Sequence, residues 1–490
     1  MTPPPASTLD DDDSRPARRV GIDWPRLTLW LGLIALAGPA VWNGFAIVFF
    51  DTGGYIRRVL DGSLEAGRSV FYGLFLYASS AGWLSFWGPV LVQCAATLWL
   101  IHLCLRAHAI GPAGWPPQAR AGAMALLLSA LTGIAWYSSQ LMPDIWMPLL
   151  VLSLWLLGFK GYTLSVRERA GVALIALFSL LSHMSGMALA IGLVTATAAA
   201  RLLAPRLGWK IQPRVLPPFA IVAASLILMP LTHLALVGHA GYTPGGSFFL
   251  YGRLVQDGLA QRYLADHCPK DGSPAPYKLC ALQSRMPTDA NAFLWHEDSP
   301  LNDIGGWKGA EPELAALVKA TILAYPGTFL TTALQATGEQ LLTIGSGDGL
   351  TEWHYMTRRV FDRMLPTQQD LEFNAARQQR EEISPTLFTA LNRVHVPAGY
   401  LSMIGLLLVV GWGLRQGRHD LAALALFVAL SLLGNAFING ALSNPHDRYQ
   451  SRMIWLATLV VIMAAVAWWE RRLPGNPDRI PRRAHVANVL

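Results

Sequence analysis

The sequence predicts an all-α, polytopic membrane protein with about ten transmembrane helices. Three observations carry that prediction. Of 490 residues, 53% are hydrophobic and 14% charged, whereas soluble domains are about a quarter charged. The apolar residues fall into blocks close to the ~20 residues needed to cross ~30 Å of hydrocarbon. Arginine and lysine gather in alternate loops, as they do where loops alternate sides of a membrane.

Residues 1–26, "MTPPPASTLDDDDSRPARRVGIDWPR", are Pro-rich and charged, the composition of a disordered tail. Their acidic run precedes the basic one and no small-residue cleavage site follows, so 27–50 is expected to be a retained first helix and not a signal peptide. Further spans are expected near 82–105, 121–138, 143–160, 169–184, 186–204, 215–238, 396–414, 419–439 and 453–470. The stretch from 169 to 204 also reads as one long tilted helix and a half. The chain thus divides into a tail (1–26), a seven-helix module (27–238), a long segment of mixed charge (239–395), three last helices (396–470) and a basic tail (471–490).

A cytoplasmic N-terminus makes the loops agree with the positive-inside rule. Arg15, Arg18, Arg19, Arg26, Arg106, Arg120, Lys160, Arg167, Arg169, Arg201, Arg206, Lys210, Arg214, Arg415, Arg418, Arg471, Arg472, Arg479, Arg482 and Arg483 are then expected inside. The short outer loops "YSSQLMP" and "SHMSG" contain neither Lys nor Arg. Both termini are expected inside and 239–395 outside. The net charge of +7 reports orientation, not nucleic-acid binding. In the outer segment, Cys268 and Cys280 of "HCPKDGSPAPYKLC" are expected to form a disulfide, since thiols outside the cytoplasm oxidise; two free thiols are the alternative. Cys94 and Cys104 sit inside the second span and read as small buried hydrophobes. Helical spacing in "EPELAALVKATILAYPGTFLTTALQATGEQLL" runs until Pro326 interrupts it.

Four outer stretches carry chemistry-bearing residues. In "DTGGYIRRVLDGSLEAGRSVFYGLFLYASS", Asp51 ends the first span and Gly53–Gly54 permit a turn. Tyr55, Ile56, Val59 and Leu60 then face one way and Arg57, Arg58 and Asp61 another, the pattern of an interfacial helix; "RSVFYGLFLYASS" is a second interfacial piece. Alone, this loop reads as a membrane anchor. Asp144 follows Pro143, where an acid suits the helix dipole, yet a carboxylate at an apolar rim is costly unless solvated or paired. His183 lies among Ser182, Ser185 and Gly186. Finally, "HDRYQSR" crowds His446, Asp447, Arg448, Tyr449 and Arg452 before the last span. Guanidinium forks suit phosphate oxygens, of a lipid headgroup or of a bound polyprenyl phosphate. No nucleotide-type phosphate loop, HExxH, zinc-spaced CxxC or GxSxG elbow occurs. "GSGDGL" at 345–350 reads as a turn.

An aspartate directly after the first span, interfacial helices in that loop, an acid in the second outer loop and an Arg-Tyr cluster before a late span together resemble the GT-C superfamily of integral-membrane glycosyltransferases. The resemblance covers the first six or seven helices and "HDRYQSR". It implies a polyprenyl-phosphate-linked sugar as donor, and an envelope glycolipid, polysaccharide or protein as acceptor. The setting would be the extracytoplasmic face of a bacterial inner membrane. It implies Asp51 as general base, with Arg448, Tyr449, Arg58 and Arg452 holding the donor phosphate. Asp144 would position the acceptor, or complete a divalent-metal site with Asp51 and His183; Tyr55, His446 and Asp447 are accessory candidates. Many members have two acids in the first loop, where this chain has Thr52 as the second residue, which bears on metal dependence. A transporter or flippase of a lipid-linked saccharide, and a non-catalytic envelope assembly protein, are the competing readings.

Overall fold

The computed structural model describes residues 23–62, 68–112, 114–238, 240–242, 245–271 and 273–472; the two tails lie almost wholly outside them. The described residues are helical throughout, with one isolated parallel bridge between Ile47 and Gln140. The first module comprises α1 (Trp24–Asn43), α2 (Thr52–Asp61), α3 (Val70–Ser79), α4 (Trp87–Ala107), α5 (Pro117–Leu131), α6 (Ile134–Ser139), α7 (Trp146–Phe159), α8 (Val166–Ser182), α9 (Gly186–Leu203) and α10 (Leu216–Val237). There follow α11 (Gly246–Gln256), α12 (Leu259–His267), α13 (Ala290–Trp295), α14 (Pro300–Asp303), α15 (Gly306–Gly309), α16 (Glu311–Ala324), α17 (Pro326–Leu342), α18 (Tyr355–Met364) and α19 (Thr367–Ala375). The chain closes with α20 (Pro385–Arg415), α21 (His419–Leu442) and α22 (Asp447–Glu470).

Among the described residues, seven helices are long and apolar enough to cross a membrane: α1, α4, α9, α10, α20, α21 and α22. An eighth is counted if α16 and α17, bent by 103° at Tyr325–Pro326, form one broken span. The expected passes near 121–138, 143–160 and 169–184 correspond to α5, α7 and α8, of 15, 14 and 17 residues. At about 1.5 Å per residue these fall short of ~30 Å. The predicted 121–138 helix breaks at Thr132, whose backbone is extended. Every residue of α7 is buried, so its all-round apolarity is that of a helix enclosed by protein. It packs against α4, α8, α9, α10, α21 and α22 at the centre of the bundle. The 169–204 stretch resolves into two helices, α8 and α9, separated at His183.

α2 and α3 pack on one another, Gly73 fitting where a side chain would meet the Tyr55 carbonyl. The amphipathic assignment of α2 is corrected at two positions. Arg58 is buried, its guanidinium turned to the Arg68 carbonyl, and Leu60 is exposed. The long 239–395 segment is physically two pieces. Its first part builds a separate apolar core around Phe248, Tyr251, Phe293, Leu314 and Leu317, where Cys268 and Cys280 are disulfide-bonded with Cα atoms 5.6 Å apart. Its second part joins the main core, where Phe361 of α18 and Phe373 of α19 stack at 4.1 Å beside Phe45.

Candidate functional site

Two loops at one end of the bundle, each carrying a candidate acid, are stitched together. The Ile47 amide donates to the Ser139 carbonyl (3.0 Å) and the Leu141 amide to the Ile47 carbonyl (2.8 Å). Thr52, fully buried, donates its hydroxyl to the Leu141 carbonyl (3.0 Å) and accepts from the Phe49 amide (2.9 Å). The residue standing where a second acid was looked for is therefore a clamp between the Asp51 and Asp144 loops. Gln378 adds a second clamp, its amide exchanging hydrogen bonds with both backbone groups of Val48 while also donating to the Leu350 carbonyl. Thr357 fixes the Asp51 turn from α18, donating to the carbonyls of Phe49 and Phe50 and accepting from the Gly53 amide.

The acids sit in this frame differently. Asp51 caps α2 by position and accepts an ion pair from Arg68 at 2.5 Å, with its side chain 29% exposed. Asp144, on the short turn before α7, is buried. Its Oδ1 accepts from Arg452 Nη1 at 2.8 Å and lies 3.9 Å from Arg448 Nε. The same Arg452 nitrogen reaches His183 Nε2 at 2.8 Å. Guanidinium has no acceptor, so His183 Nε2 carries the lone pair, and Nδ1–H donates to Ser185 Oγ at 2.9 Å. Arg448 lies over the Phe49 ring at 4.1 Å and the Tyr449 ring at 5.1 Å, joining the last helix to the Asp51 loop. Tyr55, buried in α2, feels all of these charges. Its phenol is pushed well up by burial and then by Asp51, opposed by Arg68, reinforced by Asp144 and opposed by Arg448.

The hydrogen bonding of this buried charge cluster is incomplete. Among the described residues, Asp144 Oδ2, Arg448 Nη1, and Nε and Nη2 of Arg452 are buried without a partner. A buried polar group left unmatched costs about 1–3 kcal/mol, and such groups in folded proteins usually find a protein or water partner. Donor nitrogens outnumber acceptor oxygens there by three to one.

A narrow cleft adjoins the cluster, open at its mouth and with inner room for about one water-sized group, lined by Trp136, Tyr137, Gln140, Ser346, Gly347, Asp348, Leu350 and Arg448. Half of that wall is the "GSGDGL" turn, which proves to be held from several sides. Asp447 accepts from the Gly345 amide, Asn392 from the Ser346 amide (2.8 Å), and the Gly349 carbonyl contacts His354 Nε2 at 2.7 Å. Asp348 accepts from the Arg448 amide at 3.1 Å.

The structure thus brings Asp144, Arg448, Arg452 and His183 into contact, with Asp51 and Tyr55 beside them. Tyr449 lends its ring face to both arginines. Arg58 turns instead to the Arg68 carbonyl. Asp447 anchors the Gly345 amide, while the His446 ring lies 3.2 Å from Asn444 Nδ2 and 3.7 Å from Asp348 Oδ2. The divalent-metal expectation meets an unsuitable donor set. No three His, Cys, Asp or Glu side chains among the described residues gather as ligands, and the free lone pair of His183 already faces Arg452. Two contributors were not among the sequence candidates. Arg68 lies in the first outer loop but was given no role there, and Asp348 lay in a glycine-rich stretch read as a turn. No protein-family model, curated protein or solved structure matches the chain.

Proposed function

We propose that this chain is a membrane glycosyltransferase of the GT-C kind, transferring a sugar from a polyprenyl-phosphate carrier to an envelope acceptor at the extracytoplasmic end of its helix bundle. The observation that carries this reading is the buried Asp144–Arg452–Arg448 cluster with its surplus of unmatched guanidinium donors, beside a second carboxylate that keeps contact with solvent. Planar N–H forks in a water-poor site are suited to a phosphate leaving group, and an apolar bundle end gives a lipid tail a place to lie.

In this mechanism Asp51, held by Arg68, accepts the proton of the acceptor hydroxyl while that oxygen bonds to the anomeric carbon. The bond from that carbon to the phosphate oxygen breaks with inversion, and polyprenyl phosphate leaves with its extra negative charge. Arg448 and Arg452 meet that charge with fixed donors, the arrangement in which electrostatic stabilisation is largest. Asp144 keeps the two guanidiniums in place, and no step requires a metal ion.

The test is transfer of radiolabelled sugar from polyprenyl phosphate to envelope lipids by purified protein. Asp51→Asn is expected to lower transfer by about 10²–10⁴-fold, the usual worth of a general base. Equal transfer by both proteins removes Asp51 from the mechanism. A wild-type protein that transfers nothing, yet moves lipid-linked saccharide across vesicle bilayers, is a transporter instead.

A further inference from the structure

The glycine-rich turn at 345–350 is built with more care than a connecting turn needs. Gly347 and Gly349 have φ of +102° and +70°, a region open to glycine at little cost. A Cβ at Gly347 would strike the Phe388 ring, and one at Gly349 the Phe49 ring. The turn is bonded to α18, α20 and α22. Its effect is to present two short polar side chains, Ser346 and Asp348, along one wall of the cleft, with Tyr137 and Gln140 also lining it. Ser346 is itself oriented, its hydroxyl lying 3.0 Å from His395 Nδ1. Trp136 lines the cleft as well, packed edge-on against Phe388 at 4.8 Å. Arg448 closes one end and is shared with the charge cluster.

An aromatic surface, an amide, two hydroxyl groups and a carboxylate around a narrow opening are the donors and acceptors that read hydroxyls on a ring edge. We infer that the Gly345–Leu350 turn is a substrate-recognition element: Asp348 and Ser346 take hydroxyls on one edge of the saccharide ring whose phosphate lies against Arg448. This rests on the glycosyltransferase reading above. Asp348 thereby sets which sugar is used, while Asp51 acts on the acceptor. The Arg448 amide, and His446 Nδ1 at 3.7 Å, both face Oδ2, which leaves the acceptor capacity of Oδ1 for substrate.

The experiment compares a polyprenyl-phosphate hexose with its monodeoxy counterparts, on wild type and on Asp348→Asn. The substitution keeps an oxygen for the Arg448 amide, so the turn retains its anchor. Wild type is expected to disfavour one deoxy donor in kcat/KM by about 10- to 150-fold, the worth of a hydrogen bond to a charged group. Asp348→Asn is expected to lose most of that discrimination, with the fall confined to the fully hydroxylated donor. A merely structural role predicts equal losses on both donors, and that result, or an unchanged ratio, overturns the inference. Should wild type transfer no sugar at all, the glycosyltransferase reading fails separately, and quenching of tryptophan fluorescence by phosphate-free n-octyl glycosides decides the subsite. Saturable quenching weakened by both Asp348→Asn and Ser346→Ala supports it, and quenching that is absent or indifferent to both refutes it.

Discussion

Neutralising Asp144 tests whether the charge cluster is a closed, interdependent unit. The carboxylate is buried, with guanidinium nitrogens at 2.8 Å and 3.9 Å. At an effective dielectric constant of ~20, those separations correspond to gross attractions of about 6 and about 4 kcal/mol. Most of this offsets the several kcal/mol per ion needed to take the charges out of water. Asp144→Asn preserves shape and leaves an oxygen for Arg452, but abandons two guanidiniums to a buried site. Breaking a buried pair in this way costs about 3–5 kcal/mol, equivalent to roughly 10²–10⁴-fold in the population of opened molecules. Cys94 and Cys104 are free and buried, and Cys94 Sγ lies 3.7 Å from the Ser138 carbonyl beside the Asp144 loop. Slow thiol labelling under native conditions tracks that opened population. Labelling should therefore accelerate by about two orders of magnitude or more in Asp144→Asn, and much less in a variant that also carries Arg452→Gln, because coupled neighbours are non-additive. An acceleration below about threefold would mean the cluster is already solvated, and the reasoning from burial would be wrong.

Thr52→Val removes the hydroxyl that joins the two acid-bearing loops and should destabilise by about 1–3 kcal/mol, read by the same labelling, whereas Thr52→Ser should keep most of the stability and transfer. Replacing Cys268 and Cys280 together by alanine opens a loop of sequence separation 12. About 3 kcal/mol of local stability should be lost, seen as faster limited proteolysis within 245–325 while the transmembrane core stays protected. Glu168, which completes a capping box with Ser165 and forks onto Arg106, has its carboxyl lowered to about 2, first by the Arg106 hydrogen bond. Since the folded value lies below the ordinary one, its stabilisation is fully present above about 4.5 and is lost as pH falls toward about 2. Glu168→Gln should flatten the dependence of thermal stability on pH across that window.

Much of this architecture could be read from local chemistry. A run such as α21 or α22 announces itself because transfer into hydrocarbon is a sum over its own residues. Arg448 and Arg452 stood out because they crowd with His446, Asp447 and Tyr449 just before the last span, which is also a local property. Helix ends were less legible: the first span, expected to run to Phe50 beside Asp51, stops at Asn43, and α20 begins at Pro385 and not near 396. The number of passes was less legible too, because α7 is as apolar as a membrane span yet only 14 residues long and buried throughout. Hydropathy alone does not distinguish protein from lipid as the apolar surroundings.

What the amino-acid sequence determined by itself was the all-helical, membrane-embedded character of the chain and the acids and arginines worth watching, since each of these follows from residues adjacent in the chain. Only the tertiary structure decided that Arg452 joins Asp144 to His183, that Thr52 is a clamp, that Arg58 turns away and that Asp348 enters the cleft. Those pairings span up to about 300 positions, and they exist because a buried charge or hydroxyl must find its partner wherever packing brings one, a constraint that no local pattern encodes.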